Sequence, residues 1–91
     1  MSYQFEQEES LLVGIKEEEG RGLIVFNDEV NSFDHVIDTL IKVCKHERIQ
    51  AEQCTYIIHF KGKCEVKKGT YDDLKPMKDG IIDAGINASI V

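Results

Sequence analysis

Leu23-Ile24-Val25-Phe26-Asn27-Asp28-Glu29, with Asn31-Ser32-Phe33 close behind it, is the stretch on which the fold turns. Four apolar residues in an unbroken run, within a strand of Arg21–Phe26, suit a central strand covered on one face and crowded on the other. The run stops at a turn rich in side-chain acceptors, and a helix starts at Phe33. Asn31 or Ser32 can cap that helix, and Asp34 adds negative charge to its first turn. Phe33, Val36, Ile37, Leu40, Val43 and Cys44 then recur at spacings of three and four, which is one core-facing stripe.

Lys45-His46-Glu47 separates this helix from a second one, Arg48–Lys61, closed by Gly62 as its left-handed terminator. Its core stripe reads Ala51, Cys54, Ile57 and Ile58, and Thr55 and His59, four apart, share one side. Lys63–Lys68 alternates as a strand, with Cys64 and Val66 inward and Glu65 and Lys67 outward. Gly69 supplies a turn. Proline is tolerated in a first helical turn, so Pro76 sets the start of a third helix near Asp72 or Asp73. Leu74, Met77, Ile81 and Ile82 would face inward, and Gly80 costs roughly 1 kcal/mol against alanine, which makes this the softest helix. Gly85 ends it, and Ile86–Ile90 alternates as a last strand. The order β-α-α-β-α-β in so short a chain packs as one sheet with three helices on one face, a two-layer α+β sandwich.

Upstream of the strand, Met1–Gly20 is rich in Glu and reads as a flexible acidic extension ahead of a core domain over 21–91. Within it Leu11-Leu12-Val13-Gly14-Ile15 either pairs weakly as a strand or attaches to a partner. The chain has 91 residues and a net charge of −6, one small domain able to bury about 60–65% of its unfolded surface. That charge opposes binding to nucleic acid or anionic lipid. No apolar run approaches the ~20 residues that span a bilayer, and Met1–Ser10 lacks the regions of a signal peptide. The expectation is a cytoplasmic protein. Cys44, Cys54 and Cys64 are odd in number and form no Cys-x-x-Cys pair, so they imply neither a disulfide framework nor zinc. They read as core thiols.

The turn after the first strand and His59 suggest a recognition site. An α-amino group, with a pKa of ~7.7–8.0, is a cation at neutral pH, and an ammonium offers three donors. The amide oxygen of Asn27, a carboxylate of Asp28 or Glu29, and the neutral imidazole of His59 match them one for one. Taken singly, His59 also suits the dipole at a helix C-terminus, and Asn27 and Asp28 also suit a turn that bonds its own backbone. Catalysis has no support. Cys54 and His59 diverge by about 140° around a helix, and Gly62, Gly69, Gly80 and Gly85 are isolated rather than a phosphate loop. No catalytic residue, cofactor or metal is read.

From Leu23 to about Gly62 the chain resembles ClpS, the adaptor that hands N-end-rule substrates to the ATP-dependent Clp protease. Leu23–Glu29 is similar to that family's apolar strand plus Asn-Asp-Asp. Phe33–Leu40 occupies the place of its Met-Glu-Phe-Val helix, and Ala51 with Ile58-His59-Phe60-Lys61-Gly62 matches its Ala, Val-His and Gly without an internal gap. The resemblance implies a three-stranded antiparallel sheet and α-amino (N-degron) binding by Asn27, Asp28, Glu29 and His59. It implies a side-chain pocket of Phe33, Val36, Thr55, Ile58 and Ala88 with Asn31 at the rim. It also implies a partner, the N-terminal domain of a ClpA- or ClpC-type AAA+ chaperone, docked on the third helix through residues such as Tyr71, Asp73, Leu74, Lys78 and Asp79. The extension would then engage the unfoldase during delivery, and the chain would act as a monomer. The chain departs from the family pattern where Phe33 and Thr55 replace methionines, Glu29 an Asp and Asn31 a Thr. A protein-interaction module of the same fold, like the ribosomal stalk's C-terminal domain, is the alternative, and it needs no Asn27–His59 pocket.

Overall fold

The apolar run forms β1 (Arg21–Phe26), the middle strand of a sheet of order β2-β1-β3, with β2 (Lys63–Gly69) and β3 (Ala88–Ile90) both antiparallel to it. A strand paired on both edges and packed beneath helices favours β-branched and apolar residues. The computed structural model describes residues 20–91. The Glu-rich extension, Leu11–Ile15 included, lies outside the described residues apart from Gly20. Three helices complete the α+β fold: α1 (Phe33–Cys44), α2 (Arg48–Lys61) and α3 (Tyr71–Asp83). They meet the face of β1 that carries Leu23 and Val25, both fully buried, and contribute Leu40, Ala51, Ile58, Leu74 and Ile81 to one core.

Local chemistry explains the element ends. Ser32 Oγ accepts the His35 N–H at 3.1 Å and caps α1, satisfying a donor that the first turn leaves free. α1 stops at Lys45, whose N–H donates to the Leu40 carbonyl and whose left-handed φ of 60° turns the following chain out of the helix. Gly62, at φ 97°, ends α2 in the same way, as expected. Thr70 Oγ1 accepts the Asp73 N–H at 3.1 Å. That cap starts α3 at Tyr71, one or two residues earlier than Pro76 suggested, and Pro76 therefore lies in the second turn. Gly80 has a packing reason: a Cβ there would meet Val43 Cγ1 at 3.1 Å, so its absence lets α3 approach α1.

Three side chains face away from their expected sides. Ile57 and Ile82 are 42% and 45% exposed. At ~100° per residue Ile57 lies ~120° from Ala51 and Ile82 ~100° from Ile81, and α2 instead buries Ala51, Thr55 and Ile58. Lys67 turns inward because Leu23 pairs with Lys67 while Ile24 pairs with Glu65, leaving a bulge at Val66. An extra residue shifts the alternation by one. The Lys67 ammonium consequently reaches the Cys44 carbonyl at 3.2 Å, at the negative end of α1. Cys64 and Val66 point inward as read, and β3 is shorter than Ile86–Ile90 although Ile86 and Ala88 are both buried. Burial pushes the thiol of Cys44 up to about 11 and that of Cys64 up to about 12, and raises Cys54 in the same direction. All three stay protonated and unreactive at neutral pH.

Candidate functional site

At the end of β1 the backbone is held from both sides. The Asn27 N–H donates to the Gly62 carbonyl at 2.9 Å and the Phe26 N–H to the Asn87 carbonyl at 3.0 Å. Asn27 thus leaves the sheet beside the C-terminus of α2. The chain then reverses around Asp28, whose Oδ1 accepts the N–H groups of Val30 at 2.9 Å and Asn31 at 2.8 Å. Its Oδ2 accepts Asn31 Nδ2 at 2.7 Å, and the same amide nitrogen donates to the Gly85 carbonyl at 2.9 Å. These bonds, the one from the Asn31 backbone first, hold the Asp28 carboxyl below the usual value of 3.8. Carboxylates that accept backbone N–H groups behave this way. Asp28 is therefore ionised throughout the neutral range, and it builds the turn while facing the cavity.

That cavity lies between the turn, α1, the second half of α2 and the approach to β3. Asn27, Asp28, Asn31, Phe33, Val36, Thr55, Ile58 and His59 line it, together with Phe26, Ser32 and Ile86. The empty space is about 270 Å³ with its open mouth included, yet the room left inside is that of about one water molecule. Val36, Thr55 and Ile58 are buried and form an apolar floor. The Thr55 hydroxyl does not add polarity, because Oγ1 donates back to the Ala51 carbonyl at 2.7 Å. Phe33 covers the floor, held edge-on against His59 at 5.3 Å and Tyr56 at 5.1 Å between ring centroids. Among the described residues neither the Asn27 amide nor the His59 imidazole has a hydrogen-bond partner, while Asp28 and Asn31 are bonded to one another. The site therefore presents an amide, a carboxylate and an imidazole above an apolar recess.

Two residues expected here do not line it. Glu29 is exposed on the outside of the turn. Ala88 is buried opposite Val25, and continuing that antiparallel register sets Ile86 opposite Asn27. Ile86 therefore occupies the position at which Ala88 was expected, and counting two residues back along the alternating Ile86–Ile90 segment was the signal that would have found it. Tyr56 beside Phe33 and Phe60 beside His59 were also missed, although the two rings are four apart on one helix.

On α3, Tyr71 and Asp73 are exposed, and the Arg21 guanidinium lies 5.7 Å from the Tyr71 ring centroid. Lys78 and Asp79 are half-buried, and Asp79 pairs with Lys75 at 2.7 Å. Leu74 is fully buried in the core and cannot present its side chain to a partner, which corrects its assignment to a docking surface. Its i, i+7 relation to Ile81 places both on the helix's inner stripe. Lys75 supplies the basic member of this charge pair, whose two side chains are each about half exposed. Among the described residues no group of three or more His, Cys, Asp or Glu side chains is placed to hold a metal. No helix among them is long and apolar enough to cross a membrane.

No curated protein matches the sequence. Among solved structures, Agrobacterium tumefaciens ClpS2 bound to L-phenylalaninamide superposes with a TM-score of 0.68 at 12% identity, over 81% of this chain and 96% of that one. At that identity the likeness establishes the fold. The sequence profile of the family described as "ATP-dependent Clp protease adaptor protein ClpS" matches residues 16–88, most of the chain. With strand order, helix count and family profile in agreement, the chain belongs to the ClpS family of Clp protease adaptors.

Proposed function

We infer that this chain is a cytoplasmic adaptor that binds the free amino-terminal residue of a substrate protein and delivers that protein to a Clp chaperone of the ClpA or ClpC type. One observation carries the reading: Asn27, Asp28 and His59 converge at the mouth of an apolar recess floored by Val36, Thr55 and Ile58. An α-ammonium has three donors for three acceptors, two on the turn after β1 and one on α2, and the side chain attached to it is delivered to the recess beneath. The neighbouring ClpS2 structure holds L-phenylalaninamide, a molecule with a free α-amino group and an aromatic side chain, and this lends support. The tight interior means that a bulky first side chain enters only as Phe33 swings outward. A stiff aromatic ring in that place, with Thr55 on the floor, selects by shape more sharply than flexible thioethers would.

Docking on the chaperone is assigned to the exposed surface of α3, with Tyr71, Asp73, Lys78 and the Lys75–Asp79 pair. Transfer of substrate is assigned to the acidic extension. Amide and imidazole resonances test the site itself. Titration with a peptide bearing a free amino terminus should shift Asn27 and His59 in the NMR spectrum, and the amino-terminally acetylated peptide should leave both in place. Equal shifts with both peptides would sink the reading.

A further inference from the structure

α2 carries two exposed rings on the side that borders the cavity. Tyr56 and Phe60, four residues apart, stack with centroids 5.6 Å apart and planes inclined by 11°. They are 54% and 72% exposed, so the core gains little from either. Each touches an aromatic member of the cavity wall: Tyr56 lies edge-on to Phe33 at 5.1 Å, and Phe60 edge-on to His59 at 5.6 Å. The four rings form one continuous surface from the recess to solvent. An extended chain advances ~3.4 Å per residue. A polypeptide anchored by its first residue and leaving the recess over Phe33 and His59 would bring the side chain of its second or third residue within reach of the Tyr56–Phe60 stack.

We propose that Tyr56 and Phe60 form a second subsite, which takes an aromatic side chain from the second or third residue of the bound substrate. The assignment rests on the amino-terminal reading above. Continuity with the cavity selects this occupant over a second copy of the chain. Two rings offer at most ~300–500 Å², whereas a stable dimer needs ~800 Å² from each partner. One aromatic contact of ordinary strength changes affinity by about fivefold, ~1 kcal/mol.

Fluorescence anisotropy with three peptides that share a first residue tests it: one with Ala at both following positions, one with Trp at the second and one with Trp at the third. The native chain should bind at least one Trp peptide about fivefold tighter than the Ala peptide. Tyr56→Ala/Phe60→Ala should abolish that preference, so that the Trp and Ala peptides bind the variant within about twofold of one another. Tyr56→Phe/Phe60→Tyr, which keeps both rings, should retain it, and thermal melts identify any variant that fails to fold. No preference in the native chain, or a preference that survives the double Ala variant, overturns the subsite. If acetylation of the peptides abolishes binding while Trp and Ala peptides bind alike, only the subsite fails. If acetylation has no effect, the amino-terminal reading fails and takes the subsite with it. A native dimer that the double Ala variant converts to monomer, with no Trp preference in either, assigns the rings to self-association and also overturns it.

Discussion

Asp28 does two things at once, and they separate by mutation. Its carboxylate accepts two backbone N–H groups and the Asn31 amide, so Asp28→Ala should destabilise the domain by about 1 kcal/mol, the worth of a solvent-facing cap. Because the folded carboxyl titrates below its ordinary 3.8, this contribution is complete above that value and disappears as pH falls through the lowered one. The stability gap between native and variant should stay constant from neutral pH down to about 4 and narrow only in stronger acid. A gap that closes near neutral pH, followed by urea unfolding, contradicts the assignment. His59 is exposed and free of hydrogen bonds to the described residues, so His59→Ala should leave the melting temperature nearly unchanged. It should weaken peptide binding by roughly tenfold, ~1.4 kcal/mol. An unfolded variant whose folded fraction binds normally would assign His59 to structure instead. Asn27, Asp28 and His59 were legible in the sequence because short polar side chains at a strand end, and an imidazole one helical turn past Thr55, stand out against apolar neighbours. Ile86 was not, since its place depends on the register between strands far apart in the chain. Burial of Thr55 was not legible either, since it depends on the hydroxyl being satisfied within its own helix, which allows a polar side chain into the core.

Helix ends and strand faces show where local pattern is sufficient and where it is overridden. The apolar periodicity of α1 and the terminating Gly62 of α2 were readable directly, because a stripe and a left-handed glycine are local facts. The bulge at Val66 was not, since it is a property of the β1–β2 pair, and it turned Lys67 from the outer face to the end of α1. Pro76 likewise suggested a later start for α3 than the one Thr70 sets by capping. Lys45 is the non-glycine residue with positive φ among those described, in a conformation that costs an L-residue with a side chain roughly 1 kcal/mol. Lys45→Gly should therefore raise stability by ~0.5–1 kcal/mol, measured by denaturant midpoint at unchanged slope. A lower midpoint would show that the Lys45 side chain contributes more than its backbone strain removes.

At the scale of the molecule the sheet brings the turn, the end of α2 and the approach to β3 to one place. Binding and delivery should be separable, because among the described residues the cavity is lined by positions between Phe26 and Ile86. Removing Met1–Glu19 should leave peptide affinity within about twofold, ~0.4 kcal/mol. It should abolish degradation of a bound reporter by the matching Clp chaperone and peptidase. A truncated chain that is stable, binds peptide and still delivers would remove the extension from the account. Recognition of the α-amino group is probed by a matched pair of peptides. Acetylation removes the charge and a donor, and each lost hydrogen bond to a charged group is worth on the order of 1.5–3 kcal/mol. Anisotropy titrations should show the free-amino peptide binding at least about tenfold tighter than its acetylated twin, and equal affinity for the two would contradict the account.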